Sequence, residues 1–231
     1  GTLINGANQT GSISTAGEVD AWTFVAAAGD RFTLTLTELA PLTDFYPLIR
    51  LRAPNGTIVA TAQNNTVARI DGSAALGGTY TVLVSTNDSG NDALGNYRIR
   101  LAKTAGSFVI PSGDEGGAMT NGANHTGTIE VGDLDMWTFN GNAGEAITLT
   151  MTETSPLTDF EPNIELRAPD GSLILVRGGA TVARLDRTLT VSGTYTVVLS
   201  SGDIGNDASS SYRLILAKTS GGFTVPSGDD G

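Results

Sequence analysis

The stretch RFTLTLTEL at Arg31–Leu39 alternates apolar and polar side chains residue by residue. Phe32, Leu34 and Leu36 lie on one face of an extended chain and the threonines on the other, because successive side chains of a strand point to opposite faces. This pattern is typical of an antiparallel sheet with one buried and one solvated face. The stretch AITLTMTE at Ala146–Glu153 repeats it, and long runs with helical spacing do not occur. The sequence therefore predicts an all-β protein.

The alternating stretches belong to a repeat that extends through the chain of 231 residues. DAWTF at Asp20–Phe24 returns as DMWTF at Asp135–Phe139, 115 residues later, and GTYTV at Gly78–Val82 returns at Gly193–Val197. Each repeat contains about eight strand-like segments, as expected for sandwiches and jelly rolls. In the first repeat they start near Thr10, Asp20, Arg31, Leu48, Thr57, Val67, Thr79 and Asn96. We predict two tandem jelly-roll-like β-sandwich domains of about eight strands each.

The repeat also predicts the domain boundaries. We expect a first β-sandwich at 1–106, a linker at 107–121, a second β-sandwich at 122–221 and a linker-like tail at 222–231. The glycines after Asp114 favour a flexible hinge. Gly117 aligns with Gly1, and Gly116 aligns with Gly231. We therefore expect a piece of a longer array of repeats, with a plain two-domain protein as the alternative.

The composition excludes several kinds of catalytic chemistry. With Cys 0 and His 1, the chain has no thiol nucleophile, no disulfide and no Cys-based zinc site. A Ser-His-Asp triad needs a histidine, and His125 stands in NHTG where the first copy has Gln9, which favours a surface position on a strand. A carboxylate pair for glycoside hydrolysis needs a cleft, for which the short loops leave little room. We predict that the chain is not an enzyme.

Charge and hydropathy narrow the possible partners. The formal net charge of −11 argues against binding nucleic acid through a basic patch, and no apolar run approaches the roughly 20 residues that span a bilayer. We therefore expect no nucleic-acid partner and no membrane insertion.

The two repeats differ in charge. Residues 1–116 carry Lys+Arg 7 against Asp+Glu 10, and residues 117–231 carry 6 against 14. A contact between Arg50 and Glu165 of another unit is one hypothesis for self-association with neighbouring repeats or subunits.

Acidic and amide side chains recur where strands are predicted to begin or end. In a run of antiparallel strands, alternate loops lie at the same end, so these side chains are expected to meet there. Oxygen ligands from carboxylates and amides suit Ca²⁺. We therefore predict calcium ligands at Asp20, Asp44, Asp88, Asn91 and Asp92, and again at Asp135, Asp159, Asp203, Asn206 and Asp207. The alternative is that Asp and Asn stand there because their side chains bond nearby backbone N–H groups in turns.

Four motifs of the first repeat, VDAWTF, APNGTIVA, GGTYTVLV and NYRIRLA, resemble the bacterial pre-peptidase C-terminal domain. The second repeat matches with LDMWTF, APDGSLIL, SGTYTVVL and SYRLILA. The resemblance covers almost all of both repeats and excludes the linker. It implies a secreted β-sandwich module, usually appended to other extracellular domains; some members look like binders of matrix polymers or polysaccharides, and some use calcium. No peptidase domain accompanies the repeats here, which favours a structural array.

These observations predict a non-enzymatic protein of the cell exterior or the cell surface. Its expected role is structural or adhesive, as a segment or subunit of an extracellular or cell-surface fibre. The alternative is an accessory module that anchors a larger secreted protein to a polysaccharide or matrix polymer. The outward strand positions are mostly Thr, Ser, Arg and Asp, so the sequence predicts no aromatic platform for sugar binding.

Overall fold

The computed structural model describes residues 1–155 and 159–228, and these residues form 17 β-strands and no helix. The prediction of an all-β fold is therefore confirmed. The chain divides into two compact units, the first built mainly on residues 1–111 and the second mainly on residues 112–228. The strands of the first unit are β1 (Gln9–Ile13), β2 (Asp20–Ala26), β3 (Arg31–Leu39), β4 (Pro47–Arg52), β5 (Ile58–Gln63), β6 (Val67–Ser73), β7 (Gly78–Thr86) and β8 (Gly95–Thr104).

The first unit is a jelly roll. One of its sheets has the order β1-β8-β3-β6 and the other β2-β7-β4-β5, and all pairs are antiparallel. The strands start within one residue of the positions predicted from the sequence. The turn APNG closes the β4–β5 hairpin, where Gly56 takes a φ of +86° and its N–H donates to the Ala53 carbonyl. Glycine adopts this left-handed backbone conformation without the steric cost of a side chain.

The second unit repeats this topology and adds a strand. Its strands are β9 (Gly116–Ala118), β10 (Asn124–Ile129), β11 (Asp135–Gly141), β12 (Ala146–Ser155), β13 (Pro162–Arg167), β14 (Leu173–Gly178), β15 (Val182–Thr188), β16 (Gly193–Ser201) and β17 (Ser210–Lys218). They form sheets of order β10-β17-β12-β15 and β14-β13-β16-β11-β9.

Strand β9 lies within residues 107–121, the segment that the sequence predicted to be a linker. The glycines after Asp114 are not a free hinge: Gly116 and Gly117 pair in parallel with Met136 and Trp137 of β11, and the Met119 N–H donates to the Thr138 carbonyl at 2.7 Å. The physical reason is that the edge of β11 offers backbone groups that need partners.

The predicted tail lies on its own unit as far as it is described. The Thr224 N–H donates to the Asn121 carbonyl at 2.9 Å, as Val109 donates to the Asn5 carbonyl at 3.0 Å in the first unit. Asp229, Asp230 and Gly231, the last residues of that predicted tail, lie outside the described residues.

Each unit has its own buried core. Phe24 and Tyr80 stack at a ring-centroid distance of 5.4 Å in the first, and Phe139 and Tyr195 stack at 5.4 Å in the second. Leu34 and Leu36 of the alternating strand β3 are fully buried within the sandwich. The hydrophobic face predicted from alternation is therefore the face that the two sheets share.

Candidate cation site

The repeated D-x-W motif is part of a hydrogen-bonded chain between the two sheets of each unit. In the first unit, Trp22 Nε1 donates to the Tyr97 hydroxyl at 2.9 Å, and that hydroxyl donates to Asp20 Oδ2 at 2.5 Å. In the second unit, Trp137 Nε1 donates to Tyr212 at 3.1 Å, and Tyr212 donates to Asp135 Oδ2 at 2.6 Å. The motif therefore positions a carboxylate at the start of β2 and of β11.

The second unit brings two further carboxylates to this aspartate. One oxygen each of Asp114, Glu115 and Asp135 lies within 4.8 Å of the others. Asp135 is 1% exposed, and its Oδ1 is buried without a hydrogen-bond donor. Asp114 and Glu115 directly precede β9, and the pairing of β9 with β11 places them beside Asp135.

Backbone groups hold the two partly buried acids in place. Asp114 Oδ1 accepts the Glu115 N–H at 3.0 Å, and Glu115 Oε2 accepts the Thr128 N–H at 3.3 Å. The cluster is therefore anchored to the segment before β9, to β10 and to β11.

The electrostatics of this cluster are unfavourable without a counter-charge. Burial raises the pKa of Asp135 to about 8; the hydrogen bond from Tyr212 opposes this rise, and the negative charges of Asp114 and Glu115 add to it. Burial and the Asp135 charge also raise the pKa of Tyr212. Like charges at short range disfavour simultaneous ionisation. A proton or a metal cation between these oxygens relieves the repulsion.

The calcium ligands predicted from the sequence do not converge on one point as expected. Strand pairing does place its loops at one end of the first unit, where the Gly17 N–H donates to the Asn91 carbonyl at 3.1 Å. Among residues 1–155 and 159–228, however, Asp114, Glu115 and Asp135 form the one group of three or more acidic or histidine side chains that converge. Asp135 is thus the one predicted ligand that belongs to the candidate site.

Asp88 shows why the predicted set does not converge. Its carboxylate accepts the Thr86 hydroxyl at 2.8 Å and the N–H groups of Gly90, Asp92 and Ala93 at 2.9–3.3 Å. Burial acts to raise the pKa of Asp88, but these hydrogen bonds outweigh it and lower the pKa to about 2. The carboxylate closes its own loop, as the alternative interpretation of the sequence expected.

The other predicted ligands lie apart from the cluster. Asp20 is half-buried against Tyr97. Asn91 and Asn206 take left-handed backbone conformations with φ of +51° and +52°. Asp44, Asp92, Asp159 and Asp207 are exposed, and Asp203 is 9% exposed. None of these residues belongs to the acidic group that converges among the described residues.

Sequence reasoning missed Asp114 and Glu115, because they fell in the segment interpreted as a linker. The stretch that follows these two acids, Gly116–Ala118, has no β-prone residue that would have predicted a strand there. Their distance from Asp135 along the chain concealed the connection.

The comparisons with known proteins add no family to these observations. No protein-family model matches this chain, and no curated protein was found to match it. The resemblance to pre-peptidase C-terminal domains therefore stays a prediction. Among the described residues, no helix has the length and apolar character required to cross a membrane.

Proposed function

We propose that this chain is a non-enzymatic structural module of the cell exterior, whose second unit is held together by a calcium ion bound to Asp114, Glu115 and Asp135. The observation that carries the proposal is Asp135, 1% exposed, whose Oδ1 has no donor and which lies with two further carboxylates. A divalent cation offsets the negative charges of Asp114 and Glu115 and favours the ionised form of Asp135, whose buried carboxyl otherwise retains its proton near neutral pH.

The chemistry of the donors favours calcium over softer metals. Carboxylate oxygens are hard ligands, and Ca²⁺ accepts six to eight oxygens in flexible geometry, with water completing the shell. Mg²⁺ needs a near-ideal octahedron and fits such an irregular set less well. Extracellular calcium modules bind with dissociation constants of about 10⁻⁴–10⁻³ M. A site of three carboxylates in that range is filled outside the cell, which supports the proposed location.

The site's place in the fold supports a structural role. Asp114 and Glu115 end the segment that leads into β9, and Asp135 begins β11, the strand with which β9 pairs. A cation bound by all three ties that segment to the sheet edge. Strand β9 has only three paired residues, so we expect the attachment through the cation to add substantially to the stability of this strand.

Calorimetric titration of the metal-stripped full chain with CaCl₂ tests the site. We expect one calcium site per chain and loss of that site in Asp135→Asn, because the amide cannot supply the negative charge. Titration with MgCl₂ should show weaker binding.

Asp20→Asn is the matched control. Asp20 bonds to its tyrosine as Asp135 does, but no described group of three acids includes it. Calcium binding should therefore survive Asp20→Asn. Absence of binding to the native chain, or equal binding by Asp135→Asn, overturns the proposal.

We also propose that copies of the module associate into fibres, as the repeat led us to expect. The edge strand β5 supports this: its sequence IVATAQ has no charge, and Ile58 and Val59 are 53% and 54% exposed. Unpaired edge strands of this kind add strands from other chains. Electron microscopy should show regular fibres of the native protein and their loss in Val59→Lys. Isolated particles of both proteins contradict the association.

A further inference from the structure

The chain contains four asparagines that are followed directly by glycine. The pairs are Asn5-Gly6, Asn55-Gly56, Asn121-Gly122 and Asn140-Gly141. Asparagine is among the thermolabile residues, and a following glycine leaves the backbone nitrogen beside it least hindered because it has no side chain. The surroundings of each pair therefore decide which asparagine reacts with its neighbour in the folded protein.

The pair Asn55-Gly56, in the turn between β4 and β5, is open to solvent. Residues 54–59 are all exposed, and a Cβ at Gly56 would meet no atom within 4 Å beyond its chain neighbours. Within the described part of the chain, Asn55 Nδ2 donates to no other group. The Gly56 N–H donates to the Ala53 carbonyl at 2.9 Å, and exposed backbone hydrogen bonds of this kind open at low cost. Water thus reaches both the side-chain amide and the backbone nitrogen.

Asn5 and Asn121, which stand at equivalent positions of the two units, are held on all sides. Each Nδ2 donates to two backbone carbonyls at 2.8–3.5 Å, and each Oδ1 accepts a lysine N–H at 2.6 or 2.8 Å. A Cβ on the following glycine would lie 2.2 Å from the Val109 carbonyl oxygen or 2.3 Å from that of Thr224. Reaction at either pair requires the surrounding backbone to move first.

The pair Asn140-Gly141 lies at the end of strand β11. Gly141 pairs with Gly193 of β16, and Asn140 Oδ1 accepts the Thr194 hydroxyl at 2.8 Å. A Cβ at Gly141 would lie 2.2 Å from Leu189 Cδ1. The sheet and the core therefore restrict this pair, and Asn55-Gly56 is the open pair of the four.

The turn also supplies hydrogen-bond donors to the oxygen that takes up charge during the reaction. Asn55 Oδ1 accepts the Thr57 N–H at 3.1 Å and the Thr57 hydroxyl at 2.8 Å. Attack on the side-chain carbonyl carbon places negative charge on this oxygen, and donors already aimed at it stabilise that charge. In the equivalent turn of the second unit, Ser172 donates the same two bonds to Asp170 Oδ1 at 2.9 and 2.7 Å, and they lower the pKa of Asp170. The second turn also shows that the fold accommodates aspartate at this position.

We propose that Asn55 is a site of spontaneous deamidation in the folded protein, with water as the co-reactant. The Gly56 nitrogen loses its proton to solvent and bonds to Asn55 Cγ, the Cγ–Nδ2 bond breaks, and Nδ2 leaves as ammonia. Water then opens the resulting cyclic imide and returns a proton to the Gly56 nitrogen. Opening at Cγ gives aspartate, and opening at the main-chain carbonyl carbon gives isoaspartate. The aspartate form has the same Asp-Gly turn as the second unit.

The isoaspartate form alters the turn itself. Its main chain contains one more carbon, inside a turn that is closed by the Ala53 N–H donating to the Thr57 carbonyl at 2.8 Å and the Gly56 N–H donating to the Ala53 carbonyl at 2.9 Å. The extra carbon displaces these donors and acceptors relative to one another. We therefore expect this form to loosen the β4–β5 hairpin at its closed end.

Peptide mass mapping of the native full chain after incubation at mildly alkaline pH tests the site. We expect replacement of the amide NH₂ by OH about tenfold or more faster at Asn55 than at the other three pairs. An opening free energy that is about 1.4 kcal/mol higher at those pairs suffices for that factor. A carboxyl methyltransferase specific for isoaspartate should label the same peptide. In urea the four pairs should react at similar rates, because the fold no longer distinguishes them.

The variant Asp170→Asn transfers the reactive pair to the second unit and serves as the matched gain of site. It should deamidate at a rate close to that of Asn55, since Ser172 offers the same donors. Asn55→Gln places the amide one carbon further from the Gly56 nitrogen and should abolish the reaction in the first turn. Equal rates at the four pairs of the folded chain, an equally large preference for Asn55 in urea, or no reaction at position 170 of Asp170→Asn overturns the proposal. None of these measurements depends on calcium or on fibre formation.

Discussion

At the scale of the residue, a tyrosine joins the two sheets of each unit. Tyr97 and Tyr212 are fully buried, and each hydroxyl both accepts from a tryptophan and donates to an aspartate. Glycine is needed opposite: a Cβ at Gly11 would lie 2.3 Å from the Tyr97 hydroxyl oxygen, and one at Gly127 would lie 2.6 Å from that of Tyr212. The tyrosine thus requires a strand position without a side chain.

Tyr97→Phe is expected to lower the free energy of unfolding by about 1–3 kcal/mol, because Trp22 Nε1 and Asp20 Oδ2 both lose a partner. Urea denaturation monitored by tryptophan fluorescence measures this change. Tyr46→Phe serves as the control, since Tyr46 is only half-buried. Equal effects of the two substitutions would show that the inter-sheet hydrogen bonds contribute nothing specific.

The single histidine, His125, has the same structural role in the second repeat that Gln9 has in the first. His125 Nε2 accepts the Thr120 N–H at 3.0 Å, as Gln9 Oε1 accepts the Ile4 N–H at 2.8 Å. His125 also meets Trp137 edge to face, with ring centroids 5.0 Å apart. Burial lowers the pKa of His125, against the opposing effect of the Leu214 and Ala123 backbone. Protonation would destroy the acceptor for Thr120.

His125→Gln should therefore reduce the pH dependence of stability. A folded-state pKa below the unfolded value of about 6.5 means that the contribution is complete above that pH and is lost as the pH falls through the folded pKa. Thermal unfolding between about pH 4 and pH 7 should fall less steeply with acid in the variant than in the native chain. Identical slopes in the two proteins would contradict this role.

At the scale of the element, an ion pair fastens the end of β8 to the turn before β3. Lys103 Nζ lies 2.8 Å from Asp30 Oδ2, and the Ala27 N–H donates to the same oxygen at 3.0 Å. Burial acts to raise the pKa of Asp30, but Lys103 and the backbone N–H groups outweigh it and lower the pKa. The stability this carboxylate contributes is present above its unfolded pKa and is lost as the pH falls below that value.

Asp30→Asn should destabilise the protein at pH 7 and have a smaller effect at a pH below about 3.9, the usual pKa of an aspartate, because the stability contributed by the native carboxylate is then being lost. Chemical denaturation at both pH values gives the comparison. Asp170→Asn is a suitable control, because Asp170 bonds only within its own turn. An effect of Asp30→Asn that stays constant with pH would indicate that packing, and not charge, fastens this turn.

Strands proved easier to predict than the convergence of side chains. Alternation along Arg31–Leu39 depends on neighbouring residues alone, so β3 begins and ends where the sequence predicts. Strand β9 has three residues, two of them glycine, and forms because β11 offers an open edge. No local pattern contains that information. The cation site depends on this pairing, which is why the sequence predicted Asp135 and missed Asp114 and Glu115.

For the acids predicted as loop-end calcium ligands, the sequence predicted the position in the fold but not the contacts of the side chain. Topology was predicted well enough to place Asp20, Asp44 and Asp88 at one end of the first unit. The Tyr97 hydroxyl donates to the Asp20 carboxylate, and backbone N–H groups of its own loop donate to that of Asp88. Asp88 satisfies four donors of its own loop, so its oxygens are already occupied.

At the scale of the whole molecule, two copies of one fold carry different charges. The described acidic cluster belongs to the second unit. Residues 117–231 carry Lys+Arg 6 against Asp+Glu 14, and residues 1–116 carry 7 against 10. The proposed calcium site thus lies in the more acidic of the two units.

Terbium luminescence tests the cation site most directly, because Tb³⁺ occupies calcium sites and is excited by a nearby tryptophan. Trp137 is connected to Asp135 through Tyr212 by hydrogen bonds of 3.1 and 2.6 Å. We predict sensitised emission from the native chain, its displacement by Ca²⁺, its loss in Asp135→Asn and its retention in Asp20→Asn. Emission of equal strength from Asp135→Asn, or emission that Ca²⁺ does not displace, would contradict the proposed calcium site.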